Sequence, residues 1–316
     1  MANRVGVVSA SVLNIRTEPS TGATIIGTLS RGEPVTIVER AGSWYKISAS
    51  PVEGYVYGDY IVIKETNHVS GFLLGSNELQ QITLEPVESE KILVRTDFTS
   101  EQRAVAQTWN SQGNLLLALS NVVEVDVAAS VSVLCVESSG RGFNPDGSMV
   151  IRFENHIFWR QWGKDNRESF NKQFRYNPES GWQGHEFRED ADSPWTTFHG
   201  NQMKEWRVFT VARMLNEPAA MRSISMGTPQ IMGFNHASIG YDSVQGMFDA
   251  FRSDVRYQTC GLFDFIRGAG TTSPMLVALQ RQKFVDFASR YNGNRQAAEY
   301  GERIAKHFEV FKSLKG

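Results

Sequence analysis

Cysteine is scarce in this sequence, with two among 316 residues, which excludes a disulfide-stapled scaffold and a cysteine-rich zinc site. An excess of either charge is lacking too. Thirty-two Lys and Arg stand against 34 Asp and Glu, for a net charge of -2, whereas a general nucleic-acid binder shows a marked basic excess. No run approaches the about 18 uninterrupted apolar residues of a membrane span, so neither nucleic acid nor a membrane is expected as a partner. The beginning, Met1-Ala2-Asn3-Arg4-Val5-Gly6, has one basic residue and no apolar stretch behind it, so no secretory signal peptide is expected. The chain is expected to be made in the cytoplasm as a soluble protein, and action outside it needs another route of export. What is present is ordinary for a globular protein of about two domains, with 41% hydrophobic and 21% charged residues. The one skew is aromatic: 11% of the chain, with six of its seven Trp after residue 100.

Residues 5–63 read as short strands. Val5–Val8, Val12–Arg16, Ile25–Leu29, Val35–Glu39, Trp44–Ile47 and Tyr55–Val56 are β-branched or aromatic and are separated by Gly or Pro turns, the pattern of a small all-β barrel. Residues 65–96 are polar and weakly patterned, and read as a linker with a strand or two near Ile82–Leu84 and Ile92–Val94. The texture then becomes helical. Thr99-Ser100-Glu101-Gln102 offers an N-cap, and apolar periodicity marks helices over Met203–Leu215, Val244–Ile266, Pro274–Tyr291 and Arg295–Lys312. The stretch 163–201 is long, polar and aromatic, which suits a surface excursion better than a core. The expected boundaries are therefore 1–64, 65–96 and 97–316.

In the first domain, Leu13-Asn14-Ile15-Arg16-Thr17-Glu18-Pro19, Ile26-Gly27-Thr28-Leu29, Gly32-Glu33-Pro34-Val35, Trp44-Tyr45-Lys46-Ile47 and Gly54-Tyr55-Val56 follow one another in order. This run resembles the bacterial SH3-like (SH3b) domains, which commonly bind cell-wall peptide or glycan. Trp44 and Tyr55 are expected to fill the barrel core, and Tyr57 and Tyr60 are the candidates for a wall-binding groove.

In the second domain, Glu137 ends the apolar run Val131–Val136 and precedes a bend at Gly140 and Gly142. A carboxyl at the mouth of a core is partly desolvated, which raises its pKa and suits it to act as a general acid near neutral pH. Glu154 ends a second apolar run, Met149–Phe153. Two carboxyls facing one cleft are the usual equipment for glycoside hydrolysis, although a solvated charge and an ion pair with Arg152 are the plainer readings of the two residues. The two cysteines read as buried free thiols rather than nucleophiles.

Glu137-Ser138, then Gly227-Thr228-Pro229-Gln230-Ile231-Met232, then Tyr291-Asn292-Gly293 resembles the three-part signature of lytic transglycosylases and goose-type lysozymes. More closely, Glu137-Ser138-Ser139-Gly140, Phe153-Glu154-Asn155-His156-Ile157-Phe158 and Ser225-Met226-Gly227-Thr228-Pro229-Gln230-Ile231-Met232-Gly233-Phe234-Asn235 is similar to the N-acetylmuramidase family found in modular phage endolysins, over about residues 97–314. The resemblance implies a mainly α, lysozyme-like domain after the SH3-like barrel. It implies Glu137 as the catalytic acid, Glu154 as base or stabiliser, and Ser138, Gln230, Asn235 and Asn292 along the sugar cleft. Tyr291 would lie against the catalytic Glu and help hold its proton. His156 reads as a structural histidine, and no metal or other cofactor is implied. Two departures stand out. The segment Val123–Val133 is so β-branched that propensity alone makes it a strand, whereas the resemblance requires a helix capped by Asp126. Arg290 stands where transglycosylases often have Ala.

The expected protein is a monomeric peptidoglycan hydrolase, an endolysin that cleaves the β-1,4 bond between N-acetylmuramic acid and N-acetylglucosamine while SH3b holds the wall. It would act on periplasmic or cell-wall peptidoglycan after holin release or secretion-system export. Trp159, Trp162, Trp182 and Trp195 are candidates for stacking on sugars. Two alternatives remain at this point: a lytic transglycosylase acting on the same bond, and a non-catalytic wall-binding phage structural protein.

Overall fold

Alternation of buried and exposed side chains, with period two, organises the first 64 residues. In the computed structural model, which describes residues 4–8, 10–31, 33–49, 52–64, 72–73, 76–138, 141–179, 185–268 and 273–315, the chain divides into two units after residue 70. The first unit is one antiparallel sheet of β1 (Arg4–Val8), β2 (Val12–Arg16), β3 (Ile25–Ser30), β4 (Pro34–Ala41), β5 (Trp44–Ala49), β6 (Val52–Tyr57) and β7 (Ile61–Lys64), in the order β3-β2-β6-β5-β4-β1-β7. Leu13, Ile15, Ile37, Ile47 and Val56 form its core, while Val12 and Val38 on the alternate faces are exposed. Gly54 is required where β6 crosses β2, because a Cβ there would sit 2.6 Å from Ile15 and 2.7 Å from the Arg16 carbonyl. Trp44 is buried as expected. Tyr55, expected in the core, is instead only partly buried, facing Arg16 and Lys46 in the ladder.

The second unit opens with α1 (Asn77–Gln81). Residues 76–96 are not a linker and contain no strand. Leu79 and Ile92 are buried in the helical core, and the extended backbone around Ile92 is satisfied by a side chain instead of a sheet partner. Asn110 accepts from the Ile92 amide and donates to its carbonyl, both at 2.8 Å. Trp109 Nε1 donates to the Glu90 carbonyl at 2.7 Å. The few apolar anchors lie too far apart in sequence to create a pattern.

Thr99 and Gln102 form the reciprocal capping box that starts α2 (Ser100–Val123). The chain turns at Glu124, whose φ is 58°, and Asp126 Oδ1 accepts from the Ala128 amide to start α3 (Val127–Ser138). Every residue from Ala128 to Val136 is buried. A helix enclosed on all sides needs no polar face, and this enclosure overrides the β-propensity of the sequence.

There follow β8 (Ile151–Phe153), α4 (Asn155–Gln161), α5 (Arg167–Gln173), β9 (Phe174–Arg175), β10 (Glu186–Phe187), β11 (Thr196–Thr197), α6 (Gln202–Leu215), α7 (Glu217–Arg222), β12 (Ile224–Met226) and β13 (Ile231–Met232). They build two small antiparallel sheets, ordered β11-β10-β9 and β13-β12-β8. The described residues of 163–201 are not a surface excursion. Phe170, Phe174, Phe187 and Phe198 are buried with Phe153 and Phe158 in a second, aromatic core, so most of the aromatic skew is packing.

The chain ends with α8 (Val244–Ser253), α9 (Val255–Arg267), α10 (Pro274–Gln280), α11 (Phe284–Asn292) and α12 (Ala297–Lys315). Two segments read as single helices are each broken in two. Asp254 caps α9 by accepting from the Arg256 amide, and Gln282, at φ 55°, ends the run after α10. Helices α2, α3, α9, α10, α11 and α12 share the first core of this unit, and the elements from β8 to α8 share the second. Among the described residues no single helix is long and apolar enough to cross a membrane.

Candidate active site

Helix α3 delivers Glu137 from the first core to the start of a cleft of about 300 Å³, lined by Glu137, Phe143, Asn144, Val150, Gln202 and Gln230 among others. Two helices from the far end of the chain hold the carboxyl. Tyr300 of α12 and Asn292, the last residue of α11, both donate hydrogen bonds to it, and the Arg303 guanidinium lies close enough to act on its charge. Oε1 is buried without a hydrogen-bond partner among the described residues. Burial dominates, pushing the Glu137 pKa from its ordinary 4.5 up to about 7 against the opposing pull of Tyr300, Asn292 and Arg303. Near neutral pH this carboxyl carries a transferable proton.

The cleft is also lined by Val150, which leads into β8, and by Gln230 of the turn 227–230 between β12 and β13. One buried side chain fixes this turn. Gln258 of α9 accepts from the Thr228 amide at 2.8 Å and its hydroxyl at 3.0 Å, and donates to the Phe251 carbonyl at 2.8 Å. Gly227 (φ +66°) and Gly142 both lie against it, and a Cβ on either would approach Gln258 within 2.4 Å or less. Gln230 faces the cleft in a left-handed backbone conformation, φ 50°, which costs a non-glycine residue roughly 1–2 kcal/mol. Its amide accepts from Ser225 Oγ and donates to the Gly227 carbonyl, at 2.8 and 2.7 Å. Gln230 therefore braces the turn and lines the cleft at once.

Glu154 sits at the end of β8, on the same strand face as Val150 and Arg152. The rise of a strand sets it about 13 Å along from Val150, and it does not line the cleft that Glu137 lines. Its side chain is 15% exposed, with Arg152 Nε 2.8 Å from Oε1 and His156 Nδ1 3.3 Å from Oε2. Burial opposes ionisation here too, but the hydrogen bonds from His156 and Arg152 and the Arg152 charge outweigh it and lower the pKa. The two carboxyls thus have opposite characters, Glu137 protonated and Glu154 ionised, the division of labour that acid–base pairs use.

The remaining expected residues divide. Asn292 touches the Glu137 carboxyl. Burial first, and then the nearby Glu137 charge, raise the Tyr291 pKa, but its hydroxyl donates to the Pro229 carbonyl at 2.9 Å, tying α11 to the 227–230 turn. The contact expected of Tyr291 is made by Tyr300. Asn235 lies in the helical turn 233–239, where its backbone carbonyl accepts from Ser238, and it is not brought to the cleft. Ser138 ends α3, and its side chain lies outside the described residues, as does all of Trp182. Trp195 is flanked by Arg175 and Arg188, at 4.1 and 4.8 Å, and Trp159 and Trp162 pack on the aromatic core. In the first unit, Trp44, Tyr57 and Tyr60 form a continuous aromatic row, with centroids 5.3 and 6.1 Å apart, and Tyr60 is 47% exposed. Cys135 and Cys260 are buried with thiol pKa values pushed up to about 12, so neither supplies a nucleophile.

Sequence reasoning missed Tyr300, Arg303, Gln202 and Gln258. Only Tyr300 had a readable signal, since it stands four residues before Ile304 on the apolar stripe of the last helix. Gln202 holds the backbone of β8, accepting from the Ile151 amide at 3.0 Å and donating to its carbonyl at 2.8 Å.

The family model of N-acetylmuramidases matches residues 126–312, and that of bacterial SH3 domains matches residues 11–62. The crystal structure of a Burkholderia AP3 phage endolysin is similar with a TM-score of 0.50 and 28% identity, covering 63% of this chain and 70% of that one. Bacteriocin BCN5 of Clostridium perfringens is 28% identical over 128 residues, which are 40% of this chain and 14% of the length of that protein.

Proposed function

The chain belongs to the N-acetylmuramidase family, and from that premise we propose that it is a peptidoglycan hydrolase with Glu137 as its general acid. The observation that carries this reading is the Glu137 carboxyl itself, buried at a cleft with a pKa of about 7 and held by Tyr300 and Asn292. The substrate is the β-1,4 link between N-acetylmuramic acid and N-acetylglucosamine. Glu137 gives its proton to the glycosidic oxygen as the sugar ring gains positive charge. The carboxylate left behind is stabilised by the Tyr300 and Asn292 donors and by Arg303, so charge appears where hydrogen bonds already wait. Glu154 is ionised but lies outside the lining of that cleft, so its part as stabiliser or base requires substrate binding to bring its carboxylate to the scissile bond. An ionised second carboxylate supports hydrolysis over transglycosylation, which uses one Glu and an internal hydroxyl. Gln230 and Gln202 shape the cleft floor. The SH3-like unit holds the wall through the row of Tyr57 and Tyr60, and the protein acts on periplasmic or cell-wall peptidoglycan.

Clearing of a purified peptidoglycan suspension by the full chain and by Glu137→Gln tests the reading. General acid catalysis contributes about 10²–10⁴-fold, so the variant should lose activity by at least about 100-fold while keeping the circular dichroism of the parent. A folded variant that clears the suspension at the parent rate sinks the assignment.

A further inference from the structure

We propose that Glu154, His156 and His185 form a binding site for a divalent transition metal of the zinc class. One carboxylate oxygen and one nitrogen from each imidazole lie within 4.8 Å of one another, and all three residues are partly buried. Two imidazoles and a carboxylate are a donor set that zinc accepts, at about 2.0–2.2 Å from each atom. Tetrahedral ligands at that distance stand about 3.4 Å apart, and His156 Nδ1 already lies 3.3 Å from Glu154 Oε2. The third donor needs to close by about an ångström or so, within the reach of one side-chain rotation. Sequence distance is bridged by the fold, because Glu154 and His156 open α4 while His185 directly precedes β10.

The surroundings are those that orient metal ligands. Arg152 Nε occupies Oε1 of Glu154 at 2.8 Å and leaves Oε2 toward His156. Behind His185, the His199 ring stands 5.0 Å away, and its Nδ1 is 3.1 Å from the Glu205 carboxylate. Glu205 is buried and also accepts from the Phe153 amide at 2.8 Å, so it is held in place behind the histidines. His199 Nε2 is buried with no hydrogen-bond partner among the described residues. These features give His156 a purpose beyond packing. A filled site holds the carboxylate of Glu154, and on the reading that Glu154 acts in the reaction, metal binding slows hydrolysis.

The test uses the untagged full chain, stripped by a chelator and titrated with Co²⁺ alone, followed by its visible absorption, and with Zn²⁺ by calorimetry. One ion per chain is expected, with affinity reduced more than about tenfold by His185→Ala and by His156→Ala, since even removal of a supporting partner costs that much. A zinc-soaked crystal should show anomalous scattering between the three side chains, a readout that does not depend on the variants folding. Failure to bind, affinity unchanged in both folded variants, or scattering elsewhere overturns the proposal. Binding that leaves the lytic rate untouched upholds the site and removes Glu154 from the reaction. Loss of lysis in Glu154→Gln without any metal binding does the reverse.

Discussion

Replacing Tyr300 by Phe removes one hydroxyl from the site and leaves the ring in the core. That hydroxyl donates to the Glu137 carboxylate and so lowers its pKa. A hydrogen bond to a charged group contributes about 1.5–3 kcal/mol, and one pKa unit corresponds to about 1.4 kcal/mol, which bounds the shift at about one to two units. Asn292 and the Arg303 charge remain, so the lower end is expected, an increase of about one unit from about 7. A general acid must be protonated to act, and the alkaline limb of kcat/KM reports its pKa in the free enzyme. Rates of clearing across pH 5–10 should therefore show this limb moving from about pH 7 to about pH 8 in Tyr300→Phe. The maximal rate should fall as well, because the carboxylate formed in the reaction loses a donor. A purely structural tyrosine would lower the rate without moving the limb. An unmoved limb, or one displaced to lower pH, refutes the account of how Glu137 is tuned.

Stability should carry the signature of the same carboxyl. Glu137 holds its proton more tightly in the fold, at about 7 against an ordinary 4.5, so its contribution is full below pH 4.5 and is lost as pH rises through 7. The shift corresponds to about 3 kcal/mol as an upper bound. Glu137→Gln should therefore gain stability relative to the parent between pH 5 and pH 8 in thermal melts, and an identical difference at both values would contradict the burial argument. Gln258→Leu strands the buried Thr228 amide, at about 1–3 kcal/mol for each unsatisfied group, and should lower the midpoint of urea unfolding and impair clearing together. A loss of stability with normal clearing would mean that the 227–230 turn does not shape the cleft. Tyr60→Ala should reduce retention on sedimented peptidoglycan while leaving cleavage of short soluble glycans unchanged, and unaltered retention removes the aromatic row from wall binding.

Glu137 was legible because two independent signals met on it. It ends an apolar run, which predicts desolvation, and it begins a recognisable motif. Its partners were legible only in part: the motif placed Asn292 at the cleft but not on the carboxyl, and Tyr300 was missed, because both reach Glu137 from helices near the other end of the chain and no local pattern encodes that meeting. The helix α3 shows the limit of propensity, since Val127, Val131 and Val133 favour a strand until burial on every side makes a helix the better solution. Residues 76–96 erred in the other direction: polar composition concealed Leu79 and Ile92, and the side-chain amide of Asn110 does what a neighbouring strand would have done. Four Trp are candidates for stacking on sugars, yet Trp159 and Trp162 pack on the core formed by Phe170, Phe174, Phe187 and Phe198 among others. Aromatic content alone does not distinguish a stacking platform from packing. Tyr291 was placed near the right carboxyl but with the wrong hydrogen bond, because its motif specifies position and cannot specify which acceptor its hydroxyl finds.

The most direct test of the central claim is mass spectrometry of the fragments released from purified peptidoglycan by the full chain, with Glu137→Gln in parallel. The account predicts glycan fragments ending in reducing N-acetylmuramic acid, absent from the variant digest. Anhydro-muramic ends, reducing N-acetylglucosamine ends or cleaved stem peptides from the parent protein would contradict it.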